Sequence, residues 1–477
     1  MTSPKIVFVS GNFNVLHPGH LRLFRFACEL GDRLVVGVHS DRLGGEAAHV
    51  PQDLRLEGVK ANSYVDEALL IDVPVESVVD QLRPDFVVKG NEHQGFPNPE
   101  LEVLNRYGGQ LVFSSGEAVF SSVDLIKKDL QRAARTVTHV PTGFLSRHEI
   151  TPDRLGSIIN DFRNIQVCVI GDLIVDEYLT CDPLGMSQEA PALVVTPIHT
   201  QRFLGGSGIV AAHAAGLGAK AYYMSVSGND DTRDFAYGEL QRFGLDITLL
   251  GDDTRPTTLK QRFRADGMTL LGVSHLHQGG IDVNLQDQFL ERFETVVPDC
   301  QLVVFSDFNY GCLPQALVER LVELGQSHGV MMVADSQSSS QIGDVSRFKG
   351  MHLLTPTEHE ARVSLRDHED GLVVLAEQLK EKAGARNVVL KLGQEGALLH
   401  FESDEGGSLT DRIPALNRLP RDVAGAGDAL LIAMAMAMAV GANPWEAAYV
   451  GAVAAAIQVS RTGNIPLTQA DFVNELN

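Results

Sequence analysis

Gly11-Asn-Phe-Asn-Val-Leu-His-Pro-Gly-His20 stands directly after the apolar run Ile6-Val-Phe-Val9 and directly before Leu21 to Leu30, where apolar residues recur at three- and four-residue spacing. An apolar run, a glycine-bearing turn and an amphipathic stretch read, in that order, as strand, turn and helix. The alternation continues through Leu34-Val-Val-Gly-Val38, Phe86-Val-Val88 and Leu111-Val-Phe113. Strands separated by helices predict a parallel sheet covered on both faces. This first unit is expected to span residues 1–135. Residues 136–160 contain Pro141, Gly143 and Pro152 with no clear apolar period and read as a linker. A second α/β unit is expected over 161–477, with strands at Val167-Cys-Val-Ile170, Leu302-Val-Val-Phe305, Met331-Met-Val333, Leu353-Leu354 and Val388-Val-Leu390.

Composition bounds the function. The 477 residues are 44% hydrophobic and 21% charged, an ordinary globular balance. A net charge of −22 argues against general nucleic-acid or anionic-membrane binding but not against small phosphorylated substrates, which local donors hold. None of the five cysteines forms a C-x-x-C pair, so neither a zinc ribbon nor a disulfide framework is expected. The opening MTSPKIVFVSGNF reads as a first strand rather than a signal peptide. The most apolar run, Ala429 to Val440, is too short to span a bilayer and reads as a buried helix. A soluble, cytoplasmic protein is expected.

Two constellations carry chemistry. His17 and His20 fall where a helix begins, and there free backbone N–H groups and the helix dipole favour an anion. Imidazoles at that end suit triphosphate oxygens and electrostatic stabilisation at phosphorus, with no covalent nucleophile. In the second unit, Asp422-Val-Ala-Gly-Ala-Gly-Asp428 leads into the apolar helix. Its small residues let the N–H groups of Gly425, Ala426 and Gly427 converge on a transferring phosphoryl group. Asp428 is then positioned to accept a proton from an attacking hydroxyl.

The first constellation resembles the G-x-F-D-x-x-H-x-G-H motif of the nucleotidyltransferase superfamily that includes cytidylyltransferases and sugar-phosphate adenylyltransferases. Gly31 to Asp41, Val88-Lys-Gly90 and Phe120-Ser-Ser-Val-Asp-Leu-Ile126 resemble its later elements. The resemblance implies a Rossmann-like domain in which Gly11, Phe13, Asn14, Ser121 and Ser122 bind nucleotide and Lys89 adds a charge beside His17 and His20. Asn14 replaces the family's aspartate, and Val123 replaces its threonine. The second constellation resembles the second signature of the ribokinase-like (PfkB) sugar kinases. Val169 to Asp176, Arg202-Phe-Leu-Gly-Gly-Ser-Gly208, Pro183 to Pro191 and Lys391-Leu-Gly-Gln-Glu-Gly396 resemble that fold's first strand, first signature, β lid and nucleotide turn. By that resemblance Asp172, Asp176, Gly205, Gly206 and Asp307 face the sugar, Lys391 and Gly393 the nucleotide, and Glu360 helps organise Mg²⁺.

Both folds in one chain resemble the bifunctional enzymes of ADP-heptose synthesis, a heptose 7-phosphate kinase joined to a heptose 1-phosphate adenylyltransferase, with the domain order inverted. The resemblance implies ATP, or CTP in the first unit, as nucleotide substrate, Mg²⁺ as cofactor, and by analogy a homodimer through the lid. Departures cluster in the second unit. Ile209 replaces a sugar-contacting asparagine, Tyr310 and Gln337 replace lysines, Thr357 replaces an asparagine and Ala424 a threonine. The lost lysines imply weaker attraction for a phosphorylated sugar. A cytidylyltransferase fused to a different sugar or polyol kinase, and a nucleotide-binding regulatory protein, remain alternatives.

Overall fold

Successive side chains of the strand Ile6–Gly11 enter two different cores. Val7 and Val9 pack with Phe24, Val36 and Val38, whereas Phe8 packs with Val35, Val79 and Val87. A strand buried on both faces belongs in the middle of a parallel sheet, and Ile6–Gly11 pairs in parallel with Arg33–His39 and with Phe86–Gly90. The computed structural model describes residues 4–16, 18–90, 98–114, 139–187, 192–265, 268–337, 343–417 and 419–476. Among the described residues the first sheet runs Glu67–Ile71, Arg33–His39, Ile6–Gly11, Phe86–Gly90, Gln110–Ser114, all parallel. Chain progression reverses between Ile6–Gly11 and Phe86–Gly90, so their carboxyl ends open a crevice at the switch point, where α/β sheets bind ligands. Gly11 and Lys89 lie there.

The second unit repeats the logic at larger scale. Val167 and Val169 enter one core while Cys168 and Ile170 enter another. The sheet runs Asp246–Gly251, Lys220–Ser227, Gln166–Gly171, Leu302–Asp307, Met331–Ser336, Leu353–Leu354, Asn387–Lys391, Ala397–Glu402, Ser408–Ile413. Its last two strands are antiparallel and the rest parallel. A separate lid sheet orders Met268–His275, Thr258–Ala265, Leu173–Met186 and Leu193–Gly206, with Thr258–Ala265 parallel to Leu173–Met186. The apolar run forms the buried helix Ala426–Ala439, which packs on Pro444–Val459. No helix among the described residues is long and apolar enough to cross a membrane.

The stretch read as a linker is largely helical, which corrects that expectation. The chain divides into compact units Met1–Arg135 and Thr136–Asn477. Within the second, Thr142–Arg147 and Pro152–Asp161 are helices whose Phe144, Leu155, Ile158 and Ile159 join its core. Pro141 and Pro152 are helix-start residues here: Pro141 is the N-cap, and Pro152 follows an N-cap Thr151 whose hydroxyl accepts from Arg154 N. His148 stacks on Trp445 with ring centroids 4.1 Å apart, and Asp411 binds both Arg147 and His148 at 2.8 Å. Replacing the fully buried Ile158 by Asn is therefore expected to destabilise the second unit by about 2–4 kcal/mol in denaturant titration, where a linker residue would change nothing.

Candidate active sites

In the first unit the loop after Ile6–Gly11 is held by its own side chains. A Cβ at Gly11 would press on the Phe13 ring at 3.2 Å, so glycine lets that ring fold back over the strand end. Phe13 has φ 49° and is buried against Phe24, with ring centroids 5.5 Å apart, so its ring is core rather than a nucleotide contact. His20, in the first turn of Pro18–Cys28, sits edge-on to Phe13 at 5.1 Å. Arg55, nearly fully buried, ties the crevice together. It donates to the carbonyls of Asn12, His39 and Val50 at 2.6–2.8 Å and pairs with Asp41 at 2.6 Å. His39 bonds Asn12 at 3.1 Å, and burial followed by the charges of Arg55 and Lys89 lowers its pKa.

Two expectations for this crevice change. The Asn14 amide is buried in the wall, donating to Ala47 O at 2.7 Å and accepting from His49 N at 2.8 Å. An aspartate could not supply the donor, so Asn14 serves the loop rather than a nucleotide. Lys89 is no free charge either: Glu100 neutralises it at 2.7 Å and Asn98 accepts from it at 2.9 Å. His17, Ser121 and Ser122 lie outside the described residues.

In the second unit a cavity of ≈ 550 Å³ runs beneath the lid. One end is apolar, walled by Ile413, Leu416, Ala456 and Val459 beside Gly393; the other is polar, with Asp176, Gly206, Lys260, Arg262 and Asn464. Asp428 lines the same cavity from the first turn of Ala426–Ala439, within electrostatic reach of Asp176, Lys260 and Lys391. Gly425, with φ 74°, starts that helix, and a Cβ there would meet Asn464 Oδ1 at 2.5 Å. Gly427 faces Lys391, whose Nζ would stand 3.1 Å from a Cβ. Lys391 pairs with Asp335 at 2.6 Å, which moves its cation from the expected nucleotide turn to the edge of the anion hole. Gln337 donates to Asp428 Oδ1 at 3.3 Å. Burial, then the charge of Asp335, pushes the Asp428 carboxyl up to about 7. Burial opposed by Lys391 brings Asp335 to about 6. Glu360 forms a capping box with Thr357, accepting from Thr357 N at 2.7 Å, so the hydroxyl at 357 caps the helix in the place of an amide.

Asp176 is at the polar end, bonded to Arg262 and, at 3.0 Å, to Asn464 Nδ2. Gly205 leaves room for it, since a Cβ would collide with Asp176 Oδ2. Asp172 and Asp307 do not face the cavity, which corrects their assignment to the sugar. Asp172 accepts the backbone N–H groups of Phe308, Tyr310 and Cys312 at 2.8–3.2 Å. Asp307 binds Ser336 and Arg347 at 2.7 and 2.9 Å. Ile209 is 0% exposed in the core, so that position makes no sugar contact. Lys260, Arg262 and Asn464 escaped the sequence reading because they stand alone on elements distant along the chain, and Gln337 entered it only as a replaced lysine. The alternation of Lys260, Arg262 and Arg264 on one strand face hints at the two lid cations.

A sheet with a lid over a two-ended cavity, and a carboxylate at a glycine-rich helix start, define a phosphotransferase-type site. Residues 164–470 match the pfkB family carbohydrate kinases, and the chain belongs to that family. Residues 8–110 match the cytidylyltransferase-like family. The chain is 32% identical over 321 residues to a "Bifunctional protein HldE" of Desulfatibacillum aliphaticivorans, covering 66% of this chain and 64% of that protein. It spans 62–64% of the length of the first such curated relatives. In fold it is similar to ribokinase from Thermotoga maritima, with TM-score 0.52, 22% identity, 66% of this chain and 100% of that one. It is also similar to Arabidopsis thaliana ribokinase solved with ribose and ATP, with TM-score 0.51, 18% identity, 66% of this chain and 99% of that one.

The Asn14 geometry yields a test. Asn14→Asp removes the donor to Ala47 and sets a carboxylate against a carbonyl, so the first unit is expected to lose about 1–3 kcal/mol in thermal or denaturant unfolding.

Proposed function

We propose that the chain is a bifunctional sugar-nucleotide enzyme. Its second unit phosphorylates a sugar phosphate from ATP, with the anomeric hydroxyl of a heptose 7-phosphate as acceptor. Its first unit transfers a nucleotidyl group from an NTP to a sugar 1-phosphate and releases pyrophosphate. The observation that carries the reading is that Asp428 lines one cavity together with apolar side chains suited to a nucleotide base and polar ones suited to hydroxyls. The likeness to bifunctional HldE proteins, together with the carbohydrate-kinase and cytidylyltransferase-like matches in one chain, supports the pairing of activities.

In the kinase step the acceptor hydroxyl gives its proton to Asp428 as its oxygen bonds the γ-phosphorus. The bond from that phosphorus to the bridging oxygen breaks, and ADP leaves. First-turn N–H groups at Gly427 and at Ala426, which otherwise reaches only the Val423 carbonyl at 3.4 Å, take the developing charge. The residues fit a magnesium ion bound mainly through nucleotide phosphates: Asp335 Oδ1 is buried without a hydrogen-bond partner among the described residues, and Glu360 stands nearby. Asp335 and Glu360 would hold Mg²⁺, which supplies neutralising charge to the phosphates. In the transferase step a sugar 1-phosphate oxygen attacks the α-phosphorus in line, and His17 and His20 hold the phosphates. Apolar side chains exposed on the lid, among them Leu184, Met186, Ile198 and Met268, support pairing of two chains through it. A cytoplasmic location goes with the use of ATP.

Mass spectrometry of the products from ATP, Mg²⁺ and D-glycero-D-manno-heptose 7-phosphate is expected to reveal a heptose bisphosphate. ATP binding without that product overturns the heptose assignment. Asp428→Asn is expected to lower kinase kcat by roughly 100- to 10,000-fold. Because the base must be ionised, kcat/KM is expected to fall about tenfold per unit below about pH 7. A carboxyl whose folded pKa lies above its unfolded value loses stabilising effect as pH rises through that window. Asp428→Asn, with no charge to bury, is accordingly expected to melt no lower than the parent at pH 8.

A further inference from the structure

Lys260 lines the polar end of the cavity from the lid strand Thr258–Ala265, in register with Asp176 on the parallel neighbour Leu173–Met186. The cavity's other cations are already matched. Arg262 is bound to Asp176, and Lys391 to Asp335. Lys260 has no carboxylate within ion-pair distance among the described residues. Its ammonium instead lies over two rings, 5.3 Å from the Phe308 centroid and 5.1 Å from the Tyr310 centroid. Aromatic faces attract and orient an ammonium without cancelling its charge. Tyr310 belongs to the loop that Asp172 fixes through three backbone N–H groups, so the platform beneath the ammonium is rigid. A half-buried, oriented cation with no carboxylate bound to it, facing a ligand-sized cavity that it shares with Asp428, is poised for an anion.

Resting on the kinase reading above, we propose that Lys260 binds the phosphate the acceptor sugar already carries, and so selects phosphorylated over unphosphorylated sugars. Tyr310 stands where the resembling kinases have a lysine. The charge that position lacks is supplied from the lid, and the tyrosine ring has become its support. The loss of two lysines therefore does not leave the polar end without a cation for a phosphosugar. Lys260 binds the sugar's own phosphate and exchanges no proton, although its charge reaches Asp428 and lowers that carboxyl's pKa.

The test compares kcat/KM for a sugar phosphate and for its unphosphorylated counterpart, heptose 7-phosphate and heptose first, in the full chain and in Lys260→Met and Lys260→Arg. The parent is expected to prefer the phosphorylated sugar. Lys260→Met is expected to reduce that preference roughly 10- to 100-fold, mostly through KM of the phosphosugar. Lys260→Arg is expected to keep most of it, and KM for ATP is expected to move little in either variant. Unchanged preference in Lys260→Met overturns the proposal, as does a loss read equally in both sugars or mainly in KM for ATP. A parent that phosphorylates only neutral sugars overturns it while leaving the kinase reading intact. A parent that phosphorylates no sugar, although it binds ATP, overturns the kinase reading itself.

Discussion

One buried ion pair governs the kinase site. Lys391 and Asp335 meet at 2.6 Å, both nearly out of water, with Asp428 and Glu360 close enough to perturb them electrostatically. Burial alone would push the lysine toward neutrality, but the carboxylates outweigh it and raise its pKa. Removing one partner of such a pair typically costs about 3–5 kcal/mol because the other charge is left stranded. Here the cost would also be functional, since the same ammonium stands beside Gly427 at the anion hole. The pair fixes the end of one strand to another and gives Asp428 the electrostatic setting in which it holds its proton near neutrality.

Both sheets were legible because their strands are short apolar runs separated by periodic helices, a pattern local in sequence. The helix-start glycines and Asp428 were legible for the same reason: seven consecutive residues carry the whole device. What escaped were side chains whose roles depend on distant backbone. Asp172 looks like a ligand in sequence, yet it spends both oxygens on N–H groups 136 to 140 residues away. Asn14 looked like a weakened nucleotide contact, but its amide matches a carbonyl 33 residues on, which no motif records. The supposed linker failed through punctuation: its prolines begin helices rather than end them. The contribution of Lys260, hinted at by the strand alternation, depends on a ring pair that no local pattern records.

The departures from the kinase pattern are better understood as relocation than as decay. Tyr310 and Gln337 lack the charges found at the corresponding positions in the resembling kinases. Lys260 and Lys391 nevertheless bring cations into the same cavity from a lid strand and a central strand. Thr357 caps its helix with a hydroxyl where an amide would have served. Ile209 has left the site for the core. In the first unit, Arg55 performs an analogous consolidation, joining three backbone carbonyls and the Asp41 carboxylate with one guanidinium.

The parallel pairing of Thr258–Ala265 with Leu173–Met186 sets Asp176 and Lys260 side by side. Two strands side by side in a sheet share a ratchet: a one-residue slip turns every side chain to the opposite face. Hydroxyl recognition and anion recognition are thereby cut on a single template, and a frame change in either strand would erase both together. Length variation among related chains should consequently collect at the tips of the lid hairpins. The interior of the strands must be inherited as a block.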